Sequence, residues 1–210
     1  MKKGVLGFLG TMVLLTSTAC GADIKESDVD YKPVIYLYPQ EDNTAVSVSL
    51  TYNGKLTDTI PEIKDGTWDV IANSDGTITS GEETYPYLFW EGKPDYQYDF
   101  YTGYCIRGKD TEAFFNNMLG ELGLNKKEAE DFKNYWLPQM KNNAYNVISF
   151  QEKTYTENAK LKVTPEPDTT IRVFMAWYPS EKFVKIHPQL IEDNTRKGFT
   201  VVEWGGNKVK

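Results

Sequence analysis

From residue 46 to 52 the chain alternates: Val46, Val48, Leu50 and Tyr52 interleave with Ser47, Ser49 and Thr51. A period of two puts the sets on opposite faces of a pleated strand, so the stretch predicts a strand with one buried and one solvated face. Asn53-Gly54 follows. It suits a two-residue type I′ turn and predicts a hairpin whose return strand, Leu56 to Ile60, stops at Pro61. Val34 to Tyr38, closed by Pro39, and the alternating Trp68, Val70 and Ala72 predict further strands. Asp75-Gly76 predicts a second hairpin turn with a return over Thr77 to Thr79. With Tyr85 to Trp90 and Tyr98 to Ile106, this half of the chain reads as an antiparallel meander.

After Asp110 the period changes. Phe114, Phe115, Met118, Leu119 and Leu122 fall at helical spacing, with Asp110 placed to cap the start and Gly123 to take the left-handed position past the end. Asn125 and Glu128 form the pattern of a capping box, and Ala129, Phe132, Trp136 and Met140 continue an apolar stripe. Pro138 should kink or shorten this second helix near Asn134, because a proline ring removes one backbone donor and crowds the preceding turn. A helical hairpin over about 110–142 is expected. Strands resume at Tyr145 to Phe150, Lys160 to Thr164 and Phe199 to Trp204, the last closed by Gly205-Gly206. From Ile171 to Tyr178 both alternating sets are largely apolar, which predicts a central strand covered on both faces. Strands on both sides of one helical hairpin predict a single α+β domain: a mostly antiparallel sheet, meander- or sandwich-like, with the hairpin packed on it.

The N-terminus has a different character. Lys2 and Lys3 precede a short apolar run from Val5 to Leu15, then Ser17, Thr18, Ala19 and Cys20. The run is too short for a permanent membrane span and has the layout of a cleavable export segment. It resembles the lipobox of bacterial lipoproteins, with Ser17 where that motif usually carries leucine. The resemblance implies removal of residues 1–19, acylation of Cys20 (palmitate among the acyl chains) and attachment to the cell membrane facing away from the cytoplasm. Residues 20–31, acidic and weakly apolar, then form a tether, and 32–210 the domain.

Composition narrows the partners. The net charge of −7 becomes −9 once the two leader lysines are lost, which argues against nucleic acid or an anionic lipid surface as ligand. With Cys20 acylated, Cys105 has no partner within the chain, so the fold must rest on packing rather than on disulfides. Cys105, between Tyr104 and Ile106, reads as a small buried hydrophobe. The single histidine, His187, leaves no metal-ligand cluster and no convincing nucleophilic triad, and no glycine-rich phosphate loop is present. Neither a metal nor a cofactor is expected. The 14 tyrosines and 5 tryptophans suit either a β-rich core or a stacking surface for sugars or peptides.

Four stretches stand out together: Lys32-Pro-Val-Ile-Tyr-Leu-Tyr-Pro39, Tyr87-Leu-Phe-Trp-Glu-Gly92, Tyr135-Trp-Leu-Pro138 and Arg196-Lys-Gly-Phe-Thr-Val-Val-Glu-Trp-Gly-Gly206. They resemble a family of uncharacterised bacterial exported proteins and lipoproteins. The resemblance implies one intact domain over roughly 32–206 and carries no activity. Two of these stretches place an acid beside a tryptophan and a glycine: Trp90-Glu91-Gly92 and Glu203-Trp204-Gly205. Trp90, Glu91, Glu203 and Trp204 are therefore the candidate ligand-binding residues. If the two strand ends met, the carboxylates could serve as the acid pair of an envelope-polymer hydrolase. The other reading of the same residues is that Trp90 and Trp204 anchor the core, with Glu91 and Glu203 solvated or salt-bridged to Arg172 or Lys197. The expected role is a lipid-anchored surface module, not an enzyme, that binds an extracellular glycan or protein or serves a structural part.

Overall fold

The computed structural model describes residues 31–191 and 194–209. The expected leader, Cys20 and the tether up to Asp30 lie outside the described residues. Two mostly antiparallel sheets dominate the fold, with few helices. The larger sheet contains, in spatial order, β3 (Gly54–Ile60), β7 (Leu88–Pro94), β1 (Tyr31–Tyr38), β12 (Thr200–Lys208), β11 (Thr169–Ser180), β9 (Tyr145–Gln151) and β8 (Tyr104–Arg107). The smaller contains β10 (Ala159–Thr164), β2 (Thr44–Tyr52), β4 (Thr67–Ala72), β5 (Ile78–Ser80) and β6 (Glu83–Tyr85).

The larger sheet is buried on both faces, which explains why its central strands carry apolar residues at nearly every position. Ile35, Leu37, Leu88, Trp90, Phe174 and Val201 face the smaller sheet, where Val46, Val48, Leu50, Trp68 and Val70 meet them. On the opposite face Val34, Tyr36, Ile171, Val173, Val202 and Trp204 lie beneath α1 (Thr111–Glu121) and α2 (Lys126–Met140). The 46–52 alternation delivers what it predicts, with Val46, Val48 and Leu50 buried and Ser47, Ser49 and Thr51 turned outward.

The helical hairpin forms over the expected residues, although Asp110, at the N-cap of α1, makes no side-chain capping bond. Gly123 (φ +91°) closes α1: its N–H reaches Gly120 O and the Leu124 N–H reaches Leu119 O, the paired bonds of a Schellman ending. Asn125 then starts α2 with a complete capping box, its side chain accepting from Glu128 N while Glu128 Oε2 accepts from Asn125 N.

Three expectations are corrected. Asn53-Gly54 does not close a hairpin, because β2 pairs with β4 and β10 in the smaller sheet while β3 pairs with β7 in the larger. It is a corner at which the chain changes sheets, and a Cβ on Gly54 would sit 2.2 Å from Lys93 O, so the glycine serves close backbone approach. Pro138 does not end α2, which runs to Met140. The proline sits in the last turn, where only one helical hydrogen bond is forfeited. The expected strand over 98–106 shrinks to β8, and residues 95–103 instead cross one end of the molecule from β7 to β8.

Asn125→Ala removes the side-chain acceptor of the α2 cap and should cost about 1 kcal/mol. Urea unfolding should show a lower midpoint with an unchanged slope.

Candidate functional site

The four residues singled out by the sequence do not form a ligand site. Strand alternation turns Trp90 and Glu203 toward the smaller sheet, and turns Glu91 and Trp204 toward the helix side. Glu203 is 1% exposed; Arg172, its register partner on β11, donates from Nε to Oε2 at 2.6 Å, and Trp90 donates from Nε1 to Oε1 at 3.2 Å. Burial works against the charge of Arg172, yet Glu203 and then Tyr155, whose ring lies 4.8 Å from its Cζ, hold the guanidinium pKa above its ordinary value. Trp204 is fully buried with its ring against Phe132 of α2.

Glu91 is part-exposed and accepts from the backbone N–H of Lys32. Partial burial and the facing Asp58 raise its carboxyl pKa. The two carboxylates thus point to opposite faces of one sheet, and the paired-acid arrangement a hydrolase would need is not formed. The neighbouring glycines admit interior rings and not a ligand: a Cβ on Gly92 would meet the Tyr52 ring at 2.5 Å, and one on Gly205 would meet Pro33 at 2.9 Å.

The motif residues converge instead on the start of α2. Arg196 donates to Gly123 O from Nε (3.0 Å) and Nη2 (2.7 Å), pairs with the fully buried Glu128 carboxylate, and lies over the Tyr38 ring. Tyr36 donates to Asp131 one turn further on, and Tyr87 packs edge-on against Tyr36. Burial, and then the carboxylates Asp131 and Glu128 respectively, push the Tyr36 and Tyr38 phenols far above their usual range. Both stay neutral donors at any physiological pH. This cluster clamps the helical hairpin to the sheet.

Aromatic groups that do reach solvent together lie elsewhere, on the 95–103 crossing. Tyr96, Tyr98 and Phe100 alternate along it and, with Pro94, Gln97, Tyr178 and Val209, line a cleft of about 480 Å³. Phe100 meets Tyr178 edge-on at 5.0 Å, Tyr96 meets Tyr98 at 5.2 Å, and Tyr98 stacks at 5.2 Å on Phe174, a residue of the inter-sheet core. The crossing is held by the buried Gln151 at the end of β9. Its Nε2 donates to Asp99 O at 2.9 Å and its Oε1 accepts from Asp99 N at 3.3 Å, while Thr154 Oγ1 donates to the Asp99 carboxylate at 3.0 Å. A rigid core ring beneath and a double backbone clip above fix the walls, which is the pre-formed geometry typical of small-ligand sites. The volume lies within the range of such sites. The shallow depression on the outer face of the smaller sheet, along Ser47, Asp69, Ile71 and Thr79, is comparable in size but contains no ring.

Sequence reasoning noted the wealth of tyrosines but did not single out Tyr96, Tyr98, Phe100, Tyr178 or Gln151 as site residues. The available signal was the alternation Tyr96, Tyr98, Phe100 flanked by polar Asp95, Gln97 and Asp99. Cys105 is half-buried rather than interior, its sulfur accepting from Val184 N at 3.2 Å, and the His187 carbonyl accepts from Gly103 N. Among the described residues no cluster of three or more histidine, cysteine or acidic side chains could hold a metal ion, and no helix is long and apolar enough to cross a membrane.

No protein-family model and no solved structure matches the chain. An uncharacterised protein of the bglA 3′ region of Butyrivibrio fibrisolvens is 53% identical over 93 residues, which are 43% of this chain and 97% of that protein. This chain belongs to that protein's family. That relative is itself uncharacterised, so the functional argument rests on the site.

Two predictions follow from the placement of the acids. Glu203→Gln leaves the Arg172 charge buried and uncompensated and should cost about 3–5 kcal/mol, whereas the double change Arg172→Met, Glu203→Leu should recover most of that loss in chemical denaturation. Glu91 has a raised folded pKa, so its stabilising contribution is fully present below its unfolded pKa and is lost as pH rises through the folded one. Glu91→Gln should therefore melt higher than wild type at pH 7, and the gap should close below the ordinary carboxylate range.

Proposed function

We propose that this protein is an extracytoplasmic binding module: a single α+β domain held at the cell membrane by lipid on Cys20, which offers the aromatic cleft to a glycan or protein outside the cytoplasm. The observation that carries this reading is the cleft itself. It gathers four rings at the surface on a rigid support, whereas the candidate acids share no cleft: Glu203 is buried against Arg172 and Glu91 lies on the other face of the sheet. Aromatic side chains are a large apolar surface with a polar tip, and their clustering outside a core marks a contact site.

The topology supports the same reading. Tyr31 pairs with Gly206, which is also level with Met175, and Tyr178 and Val209 lie beyond that level at the same end of the sheet. The chain therefore enters the domain at the pole where the cleft opens. Ten residues separate Cys20 from the start of the fold at Tyr31. Even fully extended they reach only about 40 Å. A lipid on Cys20 would hold the cleft close to the membrane and limit its ligands to material found there.

Intact mass and membrane fractionation of the native protein, with Cys20→Ala alongside, test the anchor: wild type should be acylated and membrane-bound, and the variant soluble. Retention on isolated envelope polymers, compared between wild type and Phe100→Ala, tests the cleft. Equal retention of the two proteins would overturn its role as the binding site.

A further inference from the structure

Resting on the cleft as the binding site, we infer that its ligand is an uncharged, hydroxyl-rich chain of pyranose rings: a neutral oligosaccharide rather than an acidic one or a peptide. The first argument is charge. Not one of the seven lining residues is charged. The nearest charges along the crossing are the acids Asp95 and Asp99, and the whole chain is at −7. A uronate, a phosphate-bearing polymer or a sulfated glycan would lose its hydration in the cleft and meet a repelling field. Among the described residues, the lysines that flank the lining, Lys93 and Lys208, are turned by strand alternation to the opposite face of the sheet, Lys208 over the Trp177 ring. A cationic ligand fares little better. Asp99 is already committed to Thr154 and to the Tyr101 N–H, and Asp95 lies outside the lining.

The second argument is shape. Because Phe100 and Tyr178 meet edge to face, with 73° between their planes, the pair presents flat ring surface together with a ring edge rather than two parallel plates. A pyranose has a face of C–H bonds that packs on such a surface, and an equatorial rim of hydroxyls. Gln97 supplies an amide that both donates and accepts, and the Tyr178 hydroxyl does the same, while Tyr98 donates its own hydroxyl to Tyr96. The cleft thus offers apolar contact on one side of the ligand and two-way hydrogen bonding at its rim. A proline-rich peptide would use the rings but presents only backbone carbonyls to Gln97, with no donors of its own at the prolines.

Titration calorimetry on the full chain in detergent, with three probes, tests this: a panel of neutral hexose oligosaccharides, oligogalacturonate as the acidic counterpart, and a polyproline peptide. A neutral oligosaccharide should bind. Phe100→Ala and Tyr178→Ala should each weaken it at least tenfold without lowering the melting temperature, whereas Tyr178→Phe, which keeps the ring, should lose less. Oligogalacturonate should bind at least tenfold more weakly at low salt, and added salt should narrow the gap. If the acidic glycan or the peptide binds more tightly through the same rings, the inference about ligand class is wrong while the cleft remains the site. If none of the three shows ring-dependent binding, the cleft reading falls with it.

Discussion

The carboxyl group of Glu203 sits between two sheets with no access to water, and the centre of the larger sheet is organised around giving it partners. A buried carboxylate is tolerated only when a countercharge and hydrogen-bond donors satisfy it. Arg172 provides the countercharge because β11 and β12 run parallel with residues 172 and 203 in register. Trp90 provides the second donor from β7, two strands away, across β1. Four neighbouring strands must therefore hold their order and register for one acid to be satisfied. Such a pair adds little net stability over an apolar substitute, but a one-residue slip of β12 would move Glu203 to the helix face, away from Arg172 and Trp90. The pair is best understood as a device that selects register in a sheet whose apolar residues, covered on both faces, would select it poorly.

The helix side has a parallel arrangement. Glu128 is fully buried, caps α2, and is neutralised by Arg196, which also takes the Gly123 carbonyl at the end of α1. One guanidinium joins the end of the first helix to the start of the second and rests on the Tyr38 ring of β1. The stretches that stand out in the sequence, around Tyr36, Tyr87, Trp136, Arg196 and Glu203, are thus devices of assembly. They seat the hairpin on one face of the sheet and tie the strands together on the other.

What could be read from the chain divides along the range of the interactions. The capping box, the Schellman ending at Gly123, the Asp75-Gly76 hairpin and the 46–52 alternation are set by neighbours within a few residues, and each forms as its residues dictate. Which strand pairs with which is set by long-range contacts. Asn53-Gly54 has ideal hairpin chemistry, yet β2 pairs with β4 and β10 in one sheet while β3 pairs with β7 in the other, so long-range pairing overrides the turn. Burial of Trp90, Trp204 and Glu203 was one of two readings the local pattern left open. A tryptophan followed or preceded by an acid and a glycine reads the same whether the glycine admits a sugar or an interior ring, and here Tyr52 and Pro33 occupy that space.

The candidate site follows the opposite rule from the core. Three of its four rings lie on a stretch without regular structure, where the alternation Tyr96, Tyr98, Phe100 does not say which ring stacks on the inter-sheet core. What converts that stretch into a defined wall is Gln151, which does for Asp99 what a neighbouring strand would do: it gives one acceptor and one donor to the backbone. A crossing clipped at one point and stacked on Phe174 at another can vary its intervening side chains without disturbing either sheet. The acids that make the fold unique are therefore separated from the rings that meet solvent, so the ligand preference of the cleft can change while the register of the sheet does not.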